Sequence, residues 1–186
     1  MSTVELDEID RKILKHLQKN ARIPNVKLAA LVGLSPAPCL RRVRGLEEAG
    51  IIREYVALVD AKTVQRGVTV FTAIRLDLQV EDRLEIVEKA VKQWPEVLEC
   101  YLITGDADFL LRVVVADVEA YERFLRDRLT RLQSVASIRS SFALKQVKYT
   151  TALPLSAEEA AQPQSPTGHR KSAEVRPRPH RAASVE

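Results

Sequence analysis

Three arginines, Arg41, Arg42 and Arg44, sit close together in the stretch LSPAPCLRRVRGLEEAGII, which runs from Leu34 to Ile52. A guanidinium offers a planar fork of donors that suits phosphate oxygens and the edge of guanine. Such side chains act together only if a rigid element carries them. The spacing predicts a helix with Ser35 as N-cap, Pro36 at N1 and Pro38 at N3. N–H groups of a first helical turn have no intrahelical partner, so proline costs little there and fixes the start. The Ser35 hydroxyl is placed to cap the N–H of Ala37. At about 100° per residue, Cys39, Leu40, Val43 and Leu46 share one arc. Ala37, Pro38, Arg41, Arg42 and Gly45 lie roughly opposite, with Arg44 at the edge and Glu47 near the apolar side. Small residues beside long cations are what a helix inserted into a DNA groove requires. A solvated basic face on an ordinary core helix would look the same in isolation.

Other chemistries find little support. The three histidines, His16, His169 and His180, share no plausible site with a cysteine or serine. Cys39 and Cys100 fall in the apolar phase of their segments and read as core residues. There is no glycine-rich phosphate loop and no set of metal ligands, so neither an enzyme nor a cofactor is expected. The 186 residues allow one large or two small domains, and a net charge of +4 permits nucleic acid as a partner without requiring it. No apolar run approaches the ~18 residues of a membrane span, and no signal peptide appears. The expectation is a cytoplasmic chain with no membrane partner.

The elements around the arginine helix complete a plan. Leu6, Ile9, Ile13, Leu14 and Leu17 recur at helical spacing between Asp7 and Asn20. A second helix fits Asn25 to Val32, with Asn25 as a plausible cap and Val26, Leu28, Ala29 and Leu31 as its apolar members. Gly33-Leu34-Ser35 then makes a short turn, and Gly50 ends the third helix. Helix, helix, glycine turn and helix is the helix-turn-helix plan, with the arginines on the element that reads the major groove. Residues 1–52 form this domain, and 53–67 form an extended stretch and linker.

From Val68 the order is strand, helix, strand, strand, helix, strand, the split arrangement of a ferredoxin-like domain over 68–155. Val70, Thr72, Ile74, Leu76 and Leu78 share one face of the first strand. The second helix, over 117–132, turns Val118, Tyr121, Leu125 and Leu129 inward. Thr104-Gly105-Asp106-Ala107-Asp108 joins the two middle strands and, from its residue types, is a hairpin turn. The sheet face away from the helices carries Phe71, Tyr101 and Ile103, so a second copy is the simplest cover. Such a dimer would present two recognition helices to related half-sites. Residues 156–186 are rich in Pro, Ala, Ser, Glu and Arg, without apolar rhythm, and are expected to be disordered.

These residues resemble the Lrp/AsnC family of feast-famine transcription regulators. The matching stretches are LDEIDRKILKHLQKNARI, VKLAALVGLSPAPCLRRVRGLEEAGIIREYVALVD, ECYLITGDADFLLRV and KQVKYTTALPL. The run IRSSFALKQVKYTTALPL is most similar to activators of branched-chain keto acid dehydrogenase operons. The resemblance implies an α+β fold, a winged helix-turn-helix followed by a ferredoxin-like domain that binds an amino-acid effector and oligomerises. It implies double-stranded DNA as partner and homodimers that assemble into tetramers, octamers or larger rings in the cytoplasm, associated with the nucleoid. On this reading Ser35, Ala37, Pro38, Arg41 and Arg42 meet the major groove, while Arg44, Lys27 and Arg53 meet phosphate. Effector binding falls on Thr104, Gly105, Asp106, Ala107 and Asp108. Asp106 or Asp108 would accept the α-ammonium, and Val118 and Phe142 would wall a branched side chain, leucine or valine. Two rivals remain: an architectural DNA-compacting protein with little sequence preference, and an allosteric module that acts on an enzyme.

Overall fold

The computed structural model describes residues 5–155, and the expected disordered tail lies outside them. The chain divides into two compact units, one formed by the N-terminal residues to Ile52 together with the segment from Ala152, the other by Arg53–Thr151.

In the first unit, α1 spans Glu8–Leu17, α2 Asn25–Val32 and α3 Pro36–Glu48. Asp7 opens α1 with a reciprocal cap: its carboxylate accepts the Asp10 N–H at 2.8 Å, and the Asp10 carboxylate accepts the Asp7 N–H at 3.4 Å. Asn25 does not cap α2. Pro24 stands at the N-cap, and the Asn25 Nδ2 instead donates to the Pro36 carbonyl at 2.8 Å, pinning the start of α3. Gly33 ends α2 in the left-handed conformation at φ 75°. Ser35 is the N-cap of α3, as the prolines predict, but its hydroxyl makes no capping bond. At the far end Gly50 takes φ 70°; its N–H reaches the Glu47 carbonyl at 2.9 Å and that of Ile51 reaches Leu46 at 3.0 Å. That pair of bonds is a Schellman stop.

The core of this unit gathers Ile13, Leu14 and Leu17 of α1, Leu28, Ala29 and Val32 of α2, and Cys39, Val43 and Leu46 of α3. Val26, Leu31 and Leu40 are exposed, contrary to the periodicity. In so short a bundle the inward arc of each helix is narrow, and residues near its edge face solvent. Residues 152–155 return to this unit rather than staying with the sheet domain. Leu155 packs on its core, and Gln18 clamps Leu153, donating to its carbonyl at 3.2 Å and accepting its N–H at 2.6 Å.

The second unit is a four-stranded antiparallel sheet in the order β2-β3-β1-β4. Its strands are β1 Val68–Leu76, β2 Val97–Leu102, β3 Phe109–Val115 and β4 Val135–Phe142. Helices α4, Glu81–Val91, and α5, Val118–Asp127, complete the βαββαβ order. Val70, Ile74 and Leu76 of β1 and Phe109, Leu111 and Val113 of β3 pack against Val87, Val91, Tyr121 and Phe124. Trp94 meets Phe124 edge-on, with ring centroids 5.5 Å apart. Thr72 is fully buried on this face. Its hydroxyl pairs with the Tyr121 phenol at 2.8 Å, which pairs in turn with Ser140 at 2.6 Å, so no partner is lost.

Three expectations need correction here. β1 stops at Leu76, and Leu78 is exposed. α5 stops at Asp127, and Leu129 reaches the core from a 3-10 turn, Leu129–Arg131. Val118, the first residue of α5, is 57% exposed. Residues 53–59 form no strand, and no described helix is long and apolar enough to cross a membrane.

Candidate functional site

The buried arc of α3 is narrower than its periodicity suggested. Its buried side is Cys39, Val43 and Leu46. Ala37, Arg41, Arg44 and Glu48 lie opposite and are exposed, with Gly45 and Leu40 at the margins. Arg44 therefore stands near the middle of the outward face rather than at its edge. Ser35 is exposed at the helix start, Pro38 is half-buried, and Lys27 is exposed on α2. Arg53 is exposed in the other unit.

Arg42 points elsewhere. Its Nη1 lies 2.6 Å from Asp7 Oδ2 and 2.9 Å from Asp10 Oδ1, the two carboxylates that cap α1. The Asp10 N–H, and then Arg42, hold the Asp7 carboxyl below the usual carboxylate range. Asp7 first, then Asp10, raises the Arg42 guanidinium. Arg42 thus ties α3 to the start of α1 through its Nη1. The sequence marks Asp7 only as the start of the first helical segment. The Asp-x-x-Asp spacing from Asp7 to Asp10 is the signal that could have found this pin.

The loop between β2 and β3 separates its two acids as sharply. Gly105 takes φ 118°, a conformation that glycine tolerates, and the Ile103 N–H closes on the Asp108 carbonyl at 2.8 Å. Thr104, Gly105 and Asp106 are exposed, and Ala107 is half-buried. Asp108 is only 3% exposed. Its Oδ2 accepts the Leu76 N–H at 2.7 Å, its Oδ1 accepts the Gln79 side-chain amide, and its own N–H donates to the Ile74 carbonyl at 2.9 Å. The register of β1 against β4 slips at Arg75/Leu76, and Asp108 satisfies the backbone there. Asp106 leaves its side chain exposed; Asp108 spends its oxygens on the fold.

The apolar wall expected for this loop is not beside it in the same chain. The loop abuts the end of the sheet where Phe109 faces Ile74 and Leu102. Phe142 pairs with Val70, four residues or about 13 Å along β1. Val118 follows Val115, which pairs with Val68 at that same far end. Phe142 is 43% exposed and lies edge-on to Tyr121 with centroids 5.4 Å apart.

On the face of the sheet away from the helices, Arg112 reaches Glu99 Oε1 through Nη2 at 2.7 Å and Nε at 2.9 Å. Arg112 holds the Glu99 carboxyl below its usual range. Phe71, opposite Arg112 in the register, and Tyr101 remain 41% and 53% exposed beside this pair.

The sequence matches the profile of a winged helix-turn-helix DNA-binding domain over residues 6–53 and of the Lrp/AsnC ligand binding domain over 69–153. A Bkd operon transcriptional regulator of Pseudomonas aeruginosa is 45% identical over 151 residues, 81% of this chain and 99% of that protein. The chain belongs to the Lrp/AsnC family. The leucine-responsive regulatory protein of Escherichia coli K12 is 42% identical over 149 residues, 80% of this chain and 91% of that one. A transcriptional regulator of Neisseria meningitidis, solved in complex with L-methionine, superposes with a TM-score of 0.78 at 43% identity, covering 81% of this chain and 97% of that one. As a member of the Lrp/AsnC family the chain is a DNA-binding regulator with an amino-acid-responsive ligand domain and is not an enzyme.

Proposed function

We propose that this Lrp/AsnC regulator binds specific DNA sites near amino-acid metabolism genes and that a small apolar amino acid sets its assembly and grip. The observation that carries the DNA half is the outward arc of α3, where Ala37 permits close approach and Arg41 and Arg44 are free to reach bases and phosphates. Lys27 and Arg53 add phosphate contacts, Ser35 and Pro38 flank the entry of α3, and Arg42 holds the helix in place. On the ligand side, Asp106 takes the α-ammonium, and the backbone around Thr104, Gly105 and Ala107 takes the carboxylate. Asp108 shapes the loop from beneath. Val118 and Phe142 wall the ligand from another copy, since those of the same chain lie at the far end of the sheet. Copies pair through the sheet face that bears Phe71 and Tyr101, and dimers join into tetramers or octamers on nucleoid DNA in the cytoplasm. Similarity to the Bkd operon regulator supports leucine or valine as effector, while the L-methionine in the Neisseria relative makes methionine the chief competitor.

The test is binding to DNA upstream of the gene and its neighbours, with competitor DNA at fixed salt, with and without leucine, valine, isoleucine or methionine. Selective binding shifted by one amino acid supports the proposal. Selectivity with no shift removes the effector loop from it. Affinity equal to that for random DNA replaces it with the architectural reading.

A further inference from the structure

We propose that the cleft where the end of β3, α5 and the turn over residues 60–66 meet is a second small-molecule site, one that takes a phosphate monoester carried on a hydroxylated or amino-bearing molecule. The cleft has a volume of about 620 Å³, within the range of small-ligand sites. Arg66, Arg123, Arg128 and Arg131 line it, together with Glu96 and Asp127.

Arg66 is delivered by a built turn. The Asp60 carboxylate accepts both the N–H and the hydroxyl of Thr63 at 2.7 Å, and the Arg66 N–H closes on the Ala61 carbonyl at 2.7 Å. Between them Gln65 takes φ 56°, the one positive φ outside glycine among the described residues. The Gln65 N–H meets the Lys62 carbonyl at 3.0 Å, so the positive φ is the left-handed end of a Schellman turn that fixes where Arg66 begins.

The charges select the ligand. Among the described residues, Arg131 is the only one of the four within ion-pair reach of a carboxylate, Asp127 at 3.8 Å. Four guanidinium groups against two carboxylates leave an excess of two positive charges. A phosphate monoester carries about −1.5 to −2 at neutral pH and matches that excess, while the single carboxylate of an amino acid does not. Glu96 adds a second demand. Its Oε2 is buried and has no hydrogen-bond partner among the described residues, and such an acceptor calls for a donor. The phosphodiester backbone of a duplex offers none; the hydroxyl of a sugar phosphate or the amino group of a nucleotide does.

The site is distinct from the effector loop. That loop enters β3 at Phe109, and the cleft lies beyond Val114 and Val115, about 20 Å further along the strand.

The experiment titrates the full chain with inorganic phosphate, glucose 6-phosphate, adenosine monophosphate and leucine. Heat and the fluorescence of Trp94, which touches the cleft residue Phe124, are the readouts. One ester should bind about tenfold more tightly than inorganic phosphate, and comparing the two esters tells sugar from nucleotide. Arg123→Ala with Arg128→Ala should weaken that ester by about tenfold or more and leave the urea midpoint and the amino-acid response unchanged. Glu96→Gln should erase the preference for ester over inorganic phosphate. Equal affinity for inorganic phosphate and both esters overturns the proposal, as does an ester affinity that the double substitution leaves intact. Loss of affinity for duplex DNA in the double variant, with no ester bound, overturns it in favour of a phosphate-backbone contact.

Discussion

The α3 face and the β2–β3 loop each carry a pair of like charges, and in each the fold has claimed one member. On α3, Arg41 is exposed and Arg42 is tied to Asp7 and Asp10. In the loop, Asp106 is exposed and Asp108 is buried against Leu76 and Gln79. The two claims differ in kind. Arg42 stays 35% exposed and meets opposite charges that water can replace. Asp108 is nearly dry and satisfies neutral donors, the Leu76 N–H among them, at a strand irregularity. The exposed member of each pair is the candidate for a partner, and the claimed member is a positioning group whose removal is felt in proportion to its burial.

The largest effect should therefore come from Asp108→Ala. It strands the Leu76 N–H at the end of β1 and frees Gln79, and a hydrogen bond to a charged acceptor contributes about 1.5–3 kcal/mol. We expect a loss of roughly 2–4 kcal/mol in urea unfolding, with any fading of the amino-acid response following from that. Asp106→Ala should leave the midpoint within about 0.5 kcal/mol and abolish the response. Equal stability of the two variants would erase the contrast.

Next comes the arginine pair. Arg41→Ala should cost about 1–3 kcal/mol at a specific site and relax the base preference. Arg42→Ala should weaken specific and random DNA by similar, smaller factors, because the same reading face is presented by a looser helix. A loss of sequence preference in Arg42→Ala that matches Arg41→Ala would return Arg42 to the groove.

The architecture was legible because its signals are periodic and local. Pro36, Gly33 and Gly50 punctuate the helices by backbone rules that hold before any packing. The alternation of Val70, Thr72, Ile74 and Leu76 marks one side of a sheet in the same way. What was illegible lies between elements. That Arg42 turns to α1 depends on Asp7, thirty-five positions away. That Asp108 turns inward depends on a register slip in β1 that its own neighbours do not announce. The separation of Phe142 from the loop follows from strand pairing, which places residues of one helix–sheet layer at opposite ends. Helical phase was also read too broadly for short helices: Leu40 and Arg42 exchanged sides although both lie near the edge of the buried arc.

The smallest effect separates the Arg42 pin from the rest by pH. The Asp7 carboxyl lies below its ordinary value of 3.8 in the folded chain, through the Asp10 N–H and Arg42. A depressed carboxyl contributes stability that is fully present above the unfolded value and is lost as pH falls through the folded one. The gap in urea midpoint between the parent chain and Arg42→Ala should thus stay constant from about pH 8 to pH 5 and narrow below about pH 4. Both partners are at the surface, so the gap itself should be small and should shrink further with added salt. A gap that instead stays constant down to about pH 3 would mean that the Asp7 carboxylate contributes nothing to it. In that event the pin would not be the Asp7 pair, and the reading helix would be held by something other than the carboxylates that cap α1.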